Sequence, residues 1–149
     1  MHLQRLLTNF VDLQRFVGWR EEDARRLPTL AKLLRPHFAS LIGDFCDEIL
    51  QHPQTAQLLG DASLVIPRLK HKLLEWLDQL LAGNYDSAYV HARWQVGLRH
   101  AELNIDPVYT NVALSRLRGS LINRLNDVAM DDAARCGSIV ALNKLLDLD

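Results

Sequence analysis

Tyr85-Asp86-Ser87-Ala88-Tyr89-Val90-His91-Ala92-Arg93-Trp94-Gln95-Val96-Gly97-Leu98-Arg99-His100-Ala101-Glu102-Leu103 sets Tyr85, Tyr89, Ala92, Val96, His100 and Leu103 at steps of 4, 3, 4, 4 and 3. That spacing is the period of an α-helix with one inward stripe, and it places His100 on the stripe. Asp86 opens the helix. Upstream, Gly83-Asn84 stops a helix expected over Ser63 to Leu81, with Pro67 in its first turn and Ile66, Leu69, Leu73, Trp76, Leu77 and Leu80 on its apolar face. Downstream, Asp106 is placed as an N-cap and Pro107 as the first residue of a helix running to about Val128.

The same punctuation continues to both ends. Leu3 to Val17 forms a first helix, Gly18 breaks it, and Glu21-Glu22-Asp23 gives the next helix, to about Leu34, an acidic first turn. Pro36 opens a third, with Phe38, Leu41, Ile42, Phe45 and Ile49 in step, and Pro53 ends it; a short turn or helix then reaches Gly60. Asp131-Asp132 opens the last helix. It reaches Asp149 with Leu142, Leu145, Leu146 and Leu148 still periodic, so the native chain is expected to continue as a helical linker into another domain. That helix also shows two apolar faces, Ile139-Leu142-Leu146 and Ala141-Leu145-Leu148, one more than its own core requires, which suggests a homodimer through the last two helices. No strand pattern competes, and residues 1–149 read as one all-α domain.

Seventeen Lys plus Arg nearly balance 18 Asp plus Glu, which argues against nucleic acid or an anionic membrane as the main partner. The amino terminus lacks the apolar run of a signal peptide and no later stretch is long enough to span a bilayer, so a cytoplasmic location is expected. The two cysteines, Cys46 and Cys136, form no C-x-x-C pair for zinc and no C-x-x-C-H for covalent haem attachment.

Six histidines stand at positions 2, 37, 52, 71, 91 and 100. Five read as surface or satisfied residues; His71 shares a helix face with Glu75 and Asp78. His100 has Val96, Gly97 and Leu103 one turn either way, and on spacing alone it fits a buried structural histidine better than a ligand.

The stretch Arg93 to His100, followed by Leu103-Asn104-Ile105-Asp106-Pro107-Val108-Tyr109, resembles the R-x-x-[IV]-G-x-x-H-x-x-x-x-[IL]-x-P-x-[WY] signature of globin-coupled sensors. The resemblance extends to Glu22-Asp23 with Leu27, Phe45 with Asp47, Pro53-Gln54-Thr55-Ala56, Leu77 to Tyr85, and Ala141 to Asp149. It implies a globin-like helical sandwich with an extra amino-terminal helix. It also implies a b-type haem (iron protoporphyrin IX) with His100 as proximal ligand, and a sensory rather than catalytic role: O2, CO or NO binds at the haem and regulates a C-terminal output domain, most often a diguanylate cyclase.

Other positions take roles from the same resemblance. Gly97 lets a porphyrin approach the helix or simply allows close packing; Leu69 and Leu73 form the distal wall or ordinary core; Tyr109 packs near the porphyrin or in the core. The family usually has a tyrosine after the phenylalanine of the third helix, hydrogen-bonding to the gas ligand, where this chain has Cys46 after Phe45. Loss of that donor is expected to weaken oxygen binding by roughly 2- to 13-fold. Cys46 is either a small core residue or, if deprotonated, a ligand to ferric haem. The rival readings are a haem-free globin-like interaction module and a small haem enzyme such as a nitric oxide dioxygenase.

Overall fold

The computed structural model describes residues 2–149, with side chains from Leu3 onward, so the surface reading of His2 lies outside the described side chains. The elements are α1 (His2–Val17), α2 (Glu21–Leu34), a 3-10 turn (Arg35–His37), α3 (Phe38–Gln51), α4 (Pro53–Leu59), α5 (Ala62–Leu80), α6 (Ser87–Glu102), α7 (Pro107–Asp127) and α8 (Asp132–Leu148). No strand occurs among the described residues. No described helix is long and apolar enough to cross a membrane.

Side-chain caps set the starts of α5, α6, α7 and α8. The carboxylates of Asp61, Asp86, Asp106 and Asp131 each accept a backbone N–H from the first turn that follows. Each such cap contributes about 1 kcal/mol. At α2 the roles reverse: the Arg20 N–H donates to Asp23 Oδ2 at 2.9 Å, and Lys144 Nζ reaches the same oxygen at 3.0 Å and the Gly18 carbonyl at 2.8 Å, tying α8 to the α1–α2 corner.

Three boundaries differ from the sequence expectation. Pro36, expected to open α3, lies in the 3-10 turn before it, and α3 begins at Phe38. Pro53, expected only to end α3, also begins α4, where a fixed φ and a missing N–H cost nothing. Pro67 lies inside α5 rather than in its first turn, because the Asp61 cap starts that helix early.

The main core is formed by α2, α3, α5, α7 and α8, with Leu27, Leu34, Ile42, Leu77, Leu121 and Leu142 among its fully buried side chains. A second cluster joins α1 to α6: Phe10, Tyr89 and Val90 are buried together, with Leu6, Leu7, Tyr85 and Leu148 against them. Trp19, Tyr85, Tyr89 and Phe10 follow one another in ring contact at 5.5, 5.0 and 6.0 Å, the first two edge-on, as aromatic quadrupoles favour. The extra amino-terminal helix is thus packed into the fold.

The two apolar faces of α8 are both used within the chain. Ala141, Leu142, Leu145 and Leu146 are buried in the main core, Ile139 packs beside it, and Leu148 packs on the α1–α6 cluster. The expectation that one face was surplus, and so pointed to a dimer, is corrected by this packing: residues of both faces are buried in the main core, where α2 and α7 pack on α8, and Leu148 meets the α1–α6 cluster.

Candidate functional site

His100 sits in the last turn of α6, where the backbone is fixed by a left-handed cap. Asn104 has φ 52°, its N–H donates to the Ala101 carbonyl at 3.0 Å, and the Ile105 N–H donates to the His100 carbonyl at 3.0 Å. This is the Schellman pattern, with asparagine where glycine is commonest. Asp106 then caps α7 through Val108 N–H at 2.9 Å, with Pro107 as first helical residue. The spacing from His100 to Pro107 therefore has a mechanical origin, since every residue in the corner has a defined backbone task.

Below the corner, α6 divides. Tyr89 and Val90 are buried against α1, and Arg93 is nearly so. Beyond Trp94 the apolar side chains of the helix lose their cover, and Val96 is 44% exposed. Leu98, Leu103, Val108 and Tyr109 are exposed with it, and Val112 at 64%. The inward stripe expected at Val96, His100 and Leu103 is therefore corrected: Val96 and Leu103 are uncovered and His100 is half-buried. Tyr109, expected near a porphyrin or in the core, lies outside the core. Helical periodicity identified residues sharing a face, but not what the face meets.

Such a concentration of large exposed apolar side chains marks a surface that takes a partner. Gly97 strengthens this, since a Cβ built there would meet no atom within 4 Å. Close helix packing is thus not its reason in this structure. A flat apolar macrocycle with an axial imidazole requires apolar walls, room beside a helix and a histidine without a competing acid partner. The α6–α7 corner supplies all three, so the residues present fit a haem. The other described histidines differ: His71 Nε2 lies 3.0 Å from Glu75, His52 Nε2 lies 3.8 Å from Glu48, and His91 stacks on Trp94, while His37 precedes α3 in the 3-10 turn.

The four residues expected on the opposite wall come together. Phe45 and Cys46 are in the main core, with Leu69 and Leu73 partly buried against it. Val96, Gly97, His100 and Tyr109 remain outside that cluster. Cys46 is fully buried, and desolvation pushes its thiol pKa up, opposed more weakly by the positive charge of Lys70 on α5. Burial thus favours the neutral thiol over the thiolate that would ligate iron.

Sequence reasoning missed two features. Asn104 stood inside the motif without a role, although asparagine after a helix is a recognisable left-handed cap. The second is a partly buried polar cluster in which Tyr89, Arg93 and Trp76 converge on Asp149. Arg93 opens the motif, but nothing local in sequence names a partner so distant in the chain.

Comparisons with known proteins agree with the fold. Residues 7–149 match the family described as Protoglobin. The chain is 27% identical over 143 residues to the heme-based aerotactic transducer HemAT of Halobacterium salinarum, covering 90% of this chain but only 29% of that protein. It is also similar to the solved globin domain of the Geobacter sulfurreducens globin-coupled sensor, with TM-score 0.84 and 29% identity over 91% of this chain and 89% of the other.

Proposed function

Because the chain belongs to the Protoglobin family, we propose that it binds a b-type haem through His100 and acts as a sensor of a diatomic gas, O2, CO or NO. The observation that carries this reading is the half-buried His100 at a rigidly capped helix end, among apolar side chains that the protein itself leaves uncovered. Val96, Gly97 and Tyr109 would flank the proximal side, and Phe45, Cys46, Leu69 and Leu73 would form the opposite wall. When bound, the haem would supply an iron with a position free for a diatomic gas.

The chain's own residues define what that position would meet. Cys46 in its neutral form is a weak donor, so the wall offers the gas little hydrogen bonding. Carbon monoxide needs such a donor less than oxygen does, and the expected loss in oxygen affinity is roughly 2- to 13-fold.

The chain spans less than a third of HemAT's length, which supports a sensory domain that acts on a separate output domain. A diguanylate cyclase is the output we favour, with a histidine kinase or a chemotaxis transducer as the competing classes; HemAT is named an aerotactic transducer, which speaks for the last. A cytoplasmic homodimer would join two such outputs, now without the surplus face on α8 as its support. The test is the absorption spectrum of the chain supplemented with haem, ferric and then dithionite-reduced with and without carbon monoxide. A sharp Soret band that shifts at each step in the wild type, and is weak or abnormal in His100→Ala, is expected. No haem uptake by the wild type overturns the reading in favour of a haem-free interaction module, and steady turnover with an electron donor and nitric oxide would make it an enzyme.

A further inference from the structure

The partly buried cluster at the end of α8 is a junction of three helices. Asp149 Oδ1 accepts from the Tyr89 hydroxyl on α6 at 2.7 Å, and Oδ2 accepts from Trp76 Nε1 on α5 at 2.9 Å. Arg93 on α6 donates from Nη2 to Gln79 Oε1 on α5 at 3.0 Å, and its guanidinium lies 5.6 Å from the centre of the Tyr89 ring. The Arg93 side chain is 11% exposed and that of Asp149 13%, so the charges interact at reduced dielectric.

One contact in the cluster is incomplete. Arg93 Nη1 lies 3.8 Å from Asp149 Oδ1, within ion-pair range but too far for a hydrogen bond, and neither Nη1 nor Nε has any hydrogen-bond partner. A buried donor without an acceptor favours any rearrangement that pairs it. Closing the gap by about 1 Å would make that bond. Arg93 and His100 are also two turns apart on nearly the same face of one helix, at about 100° per residue. A movement of α6 felt at His100 is therefore felt at Arg93.

We propose that the Asp149 carboxylate is a latch with two settings, one held by Tyr89 and Trp76 and a tighter one joined by Arg93, through which displacement of α6 reaches the last turn of α8. This rests on the gas-sensing reading above. The latch assigns the aspartate at the end of α8 a role in coupling, and it needs no movement of the main core.

The experiment is hydrogen exchange of the haem-supplemented, reduced chain with and without carbon monoxide, following residues 142–149 and using residues 38–46 in α3 as the internal control. Wild type is expected to change exchange at 142–149 by about 3-fold or more on adding carbon monoxide, with α3 unchanged. Asp149→Asn, which replaces one acceptor oxygen by an amide of the same shape, is expected to abolish that difference and to exchange about 10-fold faster at 142–149 without gas. Tyr89→Phe, the milder variant, is expected to reduce it. A normal Soret shift with carbon monoxide, together with no change at 142–149 in wild type or the same change in both variants, overturns the latch and leaves gas binding standing. Failure of the wild type to take up haem overturns both.

Discussion

The two halves of α6 share one helix and meet opposite surroundings. From Ser87 to Arg93 one face of the helix is covered by protein: Tyr89 and Val90 are buried with Phe10, and the Arg93 side chain is enclosed near Asp149. From Gln95 to Glu102 it is largely open, with Val96 and Leu98 exposed and Gly97 facing empty space. The first half anchors and the second half offers a surface, and the boundary between them falls two turns before His100. The difference teaches that a helix can be held in the fold by one end and left uncovered at the other.

Breaking the closed half should cost the most. Phe10→Ala removes the aromatic that covers Tyr89 and should destabilise the chain by about 3–5 kcal/mol in chemical unfolding. A loss under about 1 kcal/mol would mean that α1 is not part of the cooperative unit. His100→Ala tests the open half, and the expected signature is the reverse. Haem retention should fall roughly 100-fold or more while stability of the haem-free chain changes by less than about 0.5 kcal/mol. A large stability loss without haem would instead make His100 a structural residue.

The corner between the two helices gives an intermediate effect. Asn104→Gly should be neutral to slightly stabilising, because glycine is at ease at φ 52°, whereas Asn104→Val should cost about 1–2 kcal/mol, measured by thermal unfolding. Equal stability of the two would remove the left-handed cap from the account of the motif. The smallest effect is expected on the closed opposite wall: Cys46→Ala should leave the ferric spectrum unchanged at neutral pH, since burial holds the thiol neutral. Loss of a wild-type ferric band in that variant would restore Cys46 as a ligand.

Much of the fold was legible because its boundaries are written in local chemistry. Asp86, Asp106 and Asp131 cap helices where the sequence placed them, and Gly83, with φ 80°, takes the turn after α5. That glycine is doubly constrained: a Cβ there would come within 3.0 Å of Pro28 Cγ. The family resemblance was legible for the same reason, since the His100–Pro107 corner keeps a fixed order of backbone tasks. What sequence could not show is where a stripe points. The stripe of α6 faces outward past Trp94, while both stripes of α8 face inward, although the two patterns look alike. The Asp149 cluster was hidden because its members lie on three separate helices.

The capped corner also limits how this sequence can vary in length. His100 spends its carbonyl on Ile105, Asn104 takes the left-handed turn, Asp106 caps α7 and Pro107 begins it, with no spare residue between them. An inserted or deleted residue would displace both caps together, costing about 1 kcal/mol for each, and would rotate α7 about its own axis by about 100°. Point changes inside this corner can be absorbed; changes of register cannot, so tolerated insertions belong elsewhere, such as the exposed α4–α5 turn at Gly60.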